Sequence, residues 1–259
     1  MSDLQGGLAF LTIPGLPEVR PGDDLLQLLE QALSVASSPT LRDGDVLVVV
    51  QKIVSKAENR YVDLTTIEPS MEARELAQRC RKDARLVELV LRESTEVVRA
   101  VPDVLIVRHK LGFVVANAAI DQSNLPNDGD RALLLPIDPD ASAEALRSRI
   151  KQRLAINVAV LISDSFGRPW RMGVSGVCVG CSGLSSLVDL RGTLDRHGRA
   201  LQVTQLAVAD QLCATATLVC GEAAEGKPML IIRGVPAQYL QNSRGARDLV
   251  RPLNQDLFR

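Results

Sequence analysis

The chain has 259 residues, with 30 lysines and arginines against 31 aspartates and glutamates, and 3% of its residues are aromatic. This near-neutral charge and the scarcity of aromatic rings argue against nucleic-acid binding, which depends on phosphate neutralisation and base stacking. No apolar run reaches the roughly 18 residues of a membrane span, and the amino-terminal residues lack the basic-then-apolar order of a signal peptide. The composition therefore predicts a cytoplasmic protein that binds neither nucleic acid nor membranes.

Apolar runs and amphipathic segments alternate irregularly along the chain. Val- and Ile-rich runs bounded by Gly, Asp or Pro predict strands, and apolar residues at helical spacing predict helices. In chain order we predict a helix at 25–33, a strand at 46–50, a helix at 73–91, strands at 104–107, 113–116 and 132–135, a helix at 143–150, a strand at 156–162, a helix at 206–219 and a strand at 229–232. Because this order is not a βαβ repeat, we predict an α+β fold with mixed or antiparallel sheets and packed helices.

The five cysteines are predicted to be reduced thiols, because their number is odd and the chain is too long to depend on disulfides. Cys178 and Cys181 form a CxxC pair, but tetrahedral zinc needs four ligands and a second closely spaced pair is missing. We therefore interpret them as small residues packed in a glycine-rich turn. His109 and His197 are predicted to be isolated surface residues.

Polar residues follow two of the predicted strands, where a side chain can face a cleft. They are Asn117, Asp121 and Asn124 after strand 113–116, and Asp164, Ser165, Arg168 and Arg171 after strand 156–162. Carboxylate, hydroxyl and amide oxygens suit Mg²⁺ and Mn²⁺, which commonly bridge to substrate phosphates. Asp, Asn and Ser also cap turns and helices, and the local sequence pattern alone favours that capping role for Asp121 and Asp164.

Three further segments contain candidate ligand-binding residues. The segment QKIVSKAENR after strand 46–50 contains Lys52 and Lys56, which suit phosphate oxygens or can be solvated. The segment IPGLPEVRPGDD forms a rigid turn whose backbone can lie against a base or a phosphate, or is an ordinary loop before a helix. Glu222 lies in GEAAEGKP at a predicted helix end, where most glutamates are solvated.

Taken together, these segments resemble the coenzyme F420-0:L-glutamate ligases, GTP-dependent enzymes that add γ-linked glutamate to the F420 precursor. The matching segments run in family order from about residue 13 to residue 234 and cover most of the chain. They are IPGLPEVRPGDDL, LRDGDVLVVVQKIVSKAE, ANAAIDQSNLP, LLLPIDPDASAEALR, VAVLISDSFGRPWRMG, LAVADQLCATATLVCGE and IIRG.

The resemblance implies site residues. Those implied to contact GTP are Pro14, Gly15, Leu16, Pro17, Gln51, Lys56, Asn124 and Gly221. The residues implied to bind a divalent metal are Asp121, Asp164 and Ser165, together with Glu222, whose counterpart is present in some members only. The implied cofactors are Mg²⁺ or Mn²⁺, two per site, with K⁺ as a further candidate. From position alone we add the hypothesis that Arg168 or Arg171 clamps a substrate carboxylate or phosphate, since guanidinium binds either group bidentately.

The resemblance also implies an activity and an assembly. GTP phosphorylates the acceptor carboxylate of F420-0, and the amine of L-glutamate then displaces phosphate from the acyl phosphate. We expect one ligase unit over residues 1–259, built from two closely joined subdomains, with no flavin-reductase-like domain after it, and a homodimer. Two alternatives stay open: the same chemistry on another acceptor or amino acid, or a nucleotide- or metal-binding module without catalysis.

Overall fold

The computed structural model describes residues 7–123, 130–241 and 244–256. Within these ranges the α-helices are α1 (Leu25–Leu33), α2 (Gln51–Ala57), α3 (Met71–Cys80), α4 (Ala84–Arg92), α5 (Pro139–Leu154) and α6 (Val208–Cys220). The strands are β1 (Ala9–Thr12), β2 (Val46–Val50), β3 (Tyr61–Asp63), β4 (Ser94–Val101), β5 (Val104–His109), β6 (Val114–Ala116), β7 (Arg131–Leu133), β8 (Ala159–Arg168), β9 (Arg171–Ser182), β10 (Val188–Asp189), β11 (Gln205–Leu206) and β12 (Met229–Arg233). Among the described residues, no helix is long and apolar enough to cross a membrane.

The largest sheet has five strands in the order β1–β12–β2–β8–β9. Its strands β2 and β8 are parallel, and the other neighbouring strands are antiparallel. At the end of the parallel pair, Val50 lies opposite Ser163. The carboxyl ends of the two strands are therefore adjacent, and the residues that follow them meet at one edge of the sheet.

Helices cover both faces of this sheet. Leu47 and Val49 of β2 pack into a core with α1 and α5. Val46 and Val48 point the other way, into a core with α6. Since side chains alternate along a strand, a strand buried on both faces has to be apolar throughout. The predicted strand 46–50 is confirmed with its bounds.

A second sheet, β4–β5–β6, is antiparallel and shares a separate core with α3 and α4. Two small sheets are formed by β3 with β7 and by β10 with β11. The mixed and antiparallel sheets with packed helices confirm the predicted α+β class. The separate cores are compatible with the expected pair of joined subdomains.

The predicted helix at 73–91 is wrong in its continuity. The chain forms α3 and α4 instead, because Arg81 adopts a left-handed conformation with φ of 55° and ends α3. The Asp83 side chain then accepts a hydrogen bond from the amide of Arg85 and caps α4. The short helix α2, which follows β2 without a break, is not predicted from the sequence at all.

The cysteine pair lies in strand β9 and not in the predicted turn. Cys178 and Cys181 are both buried, so their predicted packing role is confirmed. The flanking glycines serve helix packing: a Cβ on Gly176 would lie 2.4 Å from the carbonyl oxygen of Cys213 in α6, and one on Gly180 would lie 2.4 Å from a carbonyl oxygen at the start of α5. The glycines therefore allow two helices to approach the backbone of β9.

His109, at the end of β5, is buried, contrary to its predicted surface position. Its Nδ1 accepts a hydrogen bond from the amide of Leu111 at 3.0 Å, and its Nε2 lies 3.9 Å from Oε2 of Glu93, beyond hydrogen-bonding distance. Burial lowers the pKa of His109 to about 4, and the charges of a nearby lysine and arginine act in the same direction. His197 is exposed, as predicted.

Candidate active site

A cleft of about 680 Å³ opens at the carboxyl ends of β2 and β8. Its walls come from the turn before α1, the start of α2, the segment after β6, the end of β8 and the loop after α6. Small-molecule sites of open sheets lie at this edge. The predicted site residues that line the cleft are Leu16, Pro17, Gln51, Lys56, Asp121, Asp164, Ser165, Gly221 and Glu222.

Asp121 is fixed in the cleft wall by two backbone hydrogen bonds with Leu133, of 3.0 and 2.8 Å. Its Oδ1 accepts hydrogen bonds from the amide and the hydroxyl of Ser123, at 2.7 and 2.8 Å. Its Oδ2 lies 2.6 Å from Nζ of Lys52. Burial acts to raise the pKa of Asp121, but the bonds from Lys52 and Ser123 outweigh that effect and lower it. Asp121 is therefore a charge-paired carboxylate.

Asp164 lies in β8 just beyond the part of the strand that pairs with β2. Its Oδ1 accepts a hydrogen bond from the amide of Ser165 at 2.8 Å. Burial raises the pKa of Asp164 to about 7, and the nearby carboxylates of Asp121 and Glu222 act in the same direction. The three carboxylates are thus close enough to repel one another, which is the environment that a cation relieves.

Glu222 reaches the same region from the loop after α6. Its Oε2 accepts a hydrogen bond from the hydroxyl of Ser165 at 2.9 Å. The preceding Gly221 has φ of 82°, and a Cβ there would lie 2.1 Å from the carboxyl carbon of Glu225. The positive φ of Gly221 therefore favours glycine, whereas the exposed Glu225 side chain could move away from an added Cβ.

The donor chemistry of the cleft fits a hard divalent cation, since three carboxylates and one hydroxyl supply oxygen ligands. The residues that would hold Mg²⁺ or Mn²⁺ are Asp121, Asp164, Ser165 and Glu222. In the part of the chain that the structure describes, no group of three His, Cys, Asp or Glu side chains is arranged to hold an ion. The acidic side chains share one cleft without forming a closed coordination shell.

The predicted nucleotide-contacting residues on α2 lie at the cleft wall. Lys56 is buried, and its Nζ lies 3.5 Å from Oε1 of Glu18. Gln51 is also buried, and its side-chain amide donates a hydrogen bond to the hydroxyl of Ser55. Because α2 begins directly after β2, its first turn and its buried side face the cleft. These features place a lysine beside an acidic side chain at the mouth of the site.

Other predicted residues lie away from the cleft lining. Arg168 and Arg171 lie at the tip of the β8–β9 hairpin, and Nη1 of Arg168 is buried with no hydrogen-bond partner among the described residues. Pro14 and Gly15 belong to the turn that lines the cleft through its next two residues. Asn124 falls outside the described residues. The clamp role of the two arginines stays a prediction.

Sequence reasoning assigns no role to Ser123 and Glu18 of the cleft, and for Lys52 it leaves open phosphate binding or a solvated side chain. Lys52 is visible in the sequence as a lysine after an apolar strand, but that position is also typical of a solvated side chain. Its bond to Asp121 joins residues far apart in the chain, and no local pattern records it. Ser123, two residues after Asp121, has the spacing of an Asx turn and could have been identified from that signal.

The fold and the cleft define a class of protein: α+β proteins in which an edge of a mixed sheet forms a cleft lined by carboxylates and lysines. The family model described as F420-0:Gamma-glutamyl ligase matches residues 15–234. The chain is 44% identical over 253 residues to the coenzyme F420:L-glutamate ligase of Methanothermobacter thermautotrophicus, covering 98% of this chain and 99% of that relative. It is 43% identical over 259 residues to the protein of that name from Methanopyrus kandleri, covering 98% of this chain and 100% of the relative.

A third relative, the coenzyme F420:L-glutamate ligase of Natronomonas pharaonis, is 45% identical over 229 residues, covering 86% of this chain and 85% of the relative. The aligned residues of these relatives include the cleft and most of the rest of the chain. The chain belongs to the F420-0:gamma-glutamyl ligase family.

Proposed function

We propose that this protein is a GTP-dependent γ-glutamyl ligase of coenzyme F420 biosynthesis, which joins the amine of L-glutamate to a carboxylate of the F420-0 precursor in an amide bond. The observation that carries the proposal is family membership over nearly the whole chain, combined with the carboxylates and lysines that line one cleft. The names of the relatives support the ligase activity and its two substrates. The carboxylates and lysines of the cleft support a phosphoryl-transfer step.

In the proposed reaction a carboxylate oxygen of F420-0 attacks the γ-phosphorus of GTP, which forms an acyl phosphate and releases GDP. The amine nitrogen of glutamate then attacks the acyl carbon, the bond from that carbon to the phosphate oxygen breaks, and the nitrogen loses a proton. Lys56 would neutralise phosphate charge from the cleft wall. Bound Mg²⁺ or Mn²⁺ would supply further charge neutralisation on the transferred group.

The residues of the chain support this chemistry through position and charge. Asp121, Asp164, Ser165 and Glu222 would hold the cations, for which we propose two Mg²⁺ or Mn²⁺ ions, with K⁺ as a further candidate. The turn at 14–17, together with Gln51 and Gly221, would contact GTP. Arg168 or Arg171 is proposed to clamp a substrate carboxylate or phosphate, so Arg168→Ala or Arg171→Ala should raise KM for one of the three substrates.

Incubating the purified protein with F420-0, L-glutamate, GTP and Mn²⁺, followed by mass spectrometry, tests the proposal. We expect the F420-0 mass to rise by one or more glutamyl units, with one GDP formed for each. Asp164→Asn should fold and lose this product, whereas Asp189→Asn, at the exposed end of β10, should retain it. GTP hydrolysis without the product would favour another acceptor or amino acid, and nucleotide binding without turnover would favour a non-catalytic module.

We also propose that the protein is a homodimer. The tip of the β8–β9 hairpin exposes large apolar side chains: Trp170 is 89% and Met172 is 97% exposed, and Val174 next to them is also exposed. Such side chains at the end of a long hairpin suit burial against a second copy. Light scattering of the intact protein should give twice the chain mass, and Trp170→Ser combined with Met172→Ser should reduce that mass.

A further inference from the structure

Lys52 occupies an unusual position in the acidic cleft. It is the second residue of α2, and its ammonium group lies 2.6 Å from Oδ2 of Asp121. The same Nζ lies 3.0 Å from the hydroxyl oxygen and 3.3 Å from the carbonyl oxygen of Ser123. An ammonium group has three N–H donors, and here three oxygens surround it. Lys52 is thus bound much as an oxygen-coordinated cation would be.

Lys52 contacts Oδ2 of Asp121, the carboxylate oxygen through which Asp121 would bind a metal ion. Oδ1 of Asp121 already accepts two hydrogen bonds from Ser123, so Oδ2 is the oxygen that keeps a lone pair available to a metal ion. The ammonium nitrogen at 2.6 Å from Oδ2 occupies one lone pair of that oxygen, and its positive charge opposes a divalent ion at the other. Lys52 and a metal ion therefore compete for Oδ2.

We propose that Lys52 is a resident cation of the acidic site, which a divalent metal ion must displace from Asp121. This inference rests on the proposed function, because it takes Asp121 as a metal ligand. Lys52 then keeps the carboxylates partly neutralised when no metal is bound, and it weakens metal binding by the free protein. The long, flexible lysine stem allows the ammonium to move to another acceptor within the cleft.

A coupling between metal and anion follows from the displacement. An anionic ligand such as GDP offers the displaced ammonium new oxygen partners, so displacement costs less when GDP is present. GDP should therefore strengthen metal binding, and by thermodynamic reciprocity the metal should strengthen GDP binding by the same factor. In Lys52→Met, GDP should therefore strengthen metal binding by a smaller factor than in the wild type.

The test is a calorimetric or electron-paramagnetic-resonance titration of the intact protein with Mn²⁺, without nucleotide and then with GDP. Without nucleotide, Lys52→Met should bind Mn²⁺ about tenfold more tightly than the wild type, since a charge-assisted bond to Asp121 no longer competes. Lys52→Arg, which keeps the cation, should stay near the wild type. The matched control is Lys227→Met, which removes a positive charge from the lining of the same cleft. It should change the affinity by less than about threefold.

Asp121→Asn separates the failure of this inference from the failure of the proposed metal site. If Asp121→Asn weakens Mn²⁺ binding while Lys52→Met binds no more tightly than the wild type, the lysine inference alone is overturned. If Asp121→Asn binds Mn²⁺ as the wild type does, the metal assignment fails and the inference with it. Equal tightening in Lys52→Met and Lys227→Met would also overturn it, because general charge would then explain the effect. Thermal melting shows whether each variant is folded, and Lys52→Gln replaces Lys52→Met if the latter is not.

Discussion

The hydroxyl of Ser165 donates a hydrogen bond to Oε2 of Glu222 at 2.9 Å and thereby joins strand β8 to the loop after α6. The bond brings a residue implied in metal binding by the ISDS segment into contact with one from the GEAAEG segment. The loop that holds Glu222 is shaped by Gly221, whose positive φ turns the chain back toward the cleft. Glu222 is therefore positioned by both its hydrogen bond and its backbone.

Replacing Glu222 with Gln should weaken metal use while preserving the fold. The amide oxygen can still accept the bond from Ser165, but one negative charge is lost from the acidic cleft. We expect the Mn²⁺ concentration for half-maximal ligase activity to rise by about tenfold. The control is Glu225→Gln on the same loop, whose carboxylate accepts a hydrogen bond from the amide of Ala223. Equal effects of the two variants would show that Glu222 has no special role in metal use.

Replacing Arg233 with Met should strongly destabilise the protein. Its Nε and Nη2 donate to the two carboxylate oxygens of the buried Asp45, at 2.8 and 2.7 Å. Without Arg233 the carboxylate would remain buried and unpaired, at a cost of about 3–5 kcal/mol in the free energy of unfolding.

Urea denaturation with Arg153→Met as the control checks this value. Arg153 pairs with Glu30 at the surface, and loss of such a pair should cost less than about 1 kcal/mol. Similar costs for the two arginine variants would contradict the assigned role of Asp45.

His109 should make the free energy of unfolding depend on pH. Its pKa is about 4 in the folded protein against the ordinary 6.5. Because the folded state keeps the ring neutral, the unfolded chain takes up the proton first as the pH falls. The contribution of the neutral His109 ring to the free energy of unfolding is fully present above pH 6.5. It is lost as the pH falls toward 4, by about 3 kcal/mol in total.

Urea denaturation between pH 4 and 7 measures this dependence. His109→Asn supplies an amide oxygen that can accept the bond from Leu111, and it cannot take up a proton in this range. Its free energy of unfolding should fall less steeply with decreasing pH than that of the wild type. Parallel pH profiles of the two proteins would assign the acid sensitivity to other groups.

Replacing Gly176 with Ala should damage the packing of α6 on the large sheet. The new Cβ would lie 2.2 Å from Oγ1 of Thr217 and 2.4 Å from a backbone oxygen, so the helix must move. We expect a loss of about 1–3 kcal/mol or more in the free energy of unfolding. Gly167→Ala on the neighbouring strand is the control, because a Cβ there meets nothing within 4 Å. Equal melting temperatures for the two variants would contradict the close approach.

Local sequence patterns account for the central part of the fold. The apolar run 46–50 predicts a strand, and the helical spacing of apolar residues over 25–33 predicts a helix. The structure confirms both as β2 and α1, and the Asp24 carboxylate caps α1 by accepting hydrogen bonds from the amides of Leu26 and Gln27. The motif residues Asp121, Asp164, Ser165 and Glu222 line one cleft, and their roles in metal binding stay a prediction.

Most features that sequence reasoning misses depend on contacts between distant parts of the chain. The break between α3 and α4 is an exception, because the apolar period continues across Arg81 and masks the local N-cap signal of Asp83. The glycines around Cys178 resemble a turn because their real partners, the backbones of two helices, are remote in sequence. The pairing of Lys52 with Asp121 is invisible for the same reason.

The parallel pairing of β2 with β8 has a consequence for folding kinetics. The whole chain from Gln51 to Val158, including the β4–β5–β6 sheet and its helices, lies between these two neighbouring strands. Closing so long a loop adds little to the equilibrium free energy, but long-range strand pairing is slow. We therefore expect the inserted segment to become compact first and the cleft edge of the large sheet to form in a late step of folding.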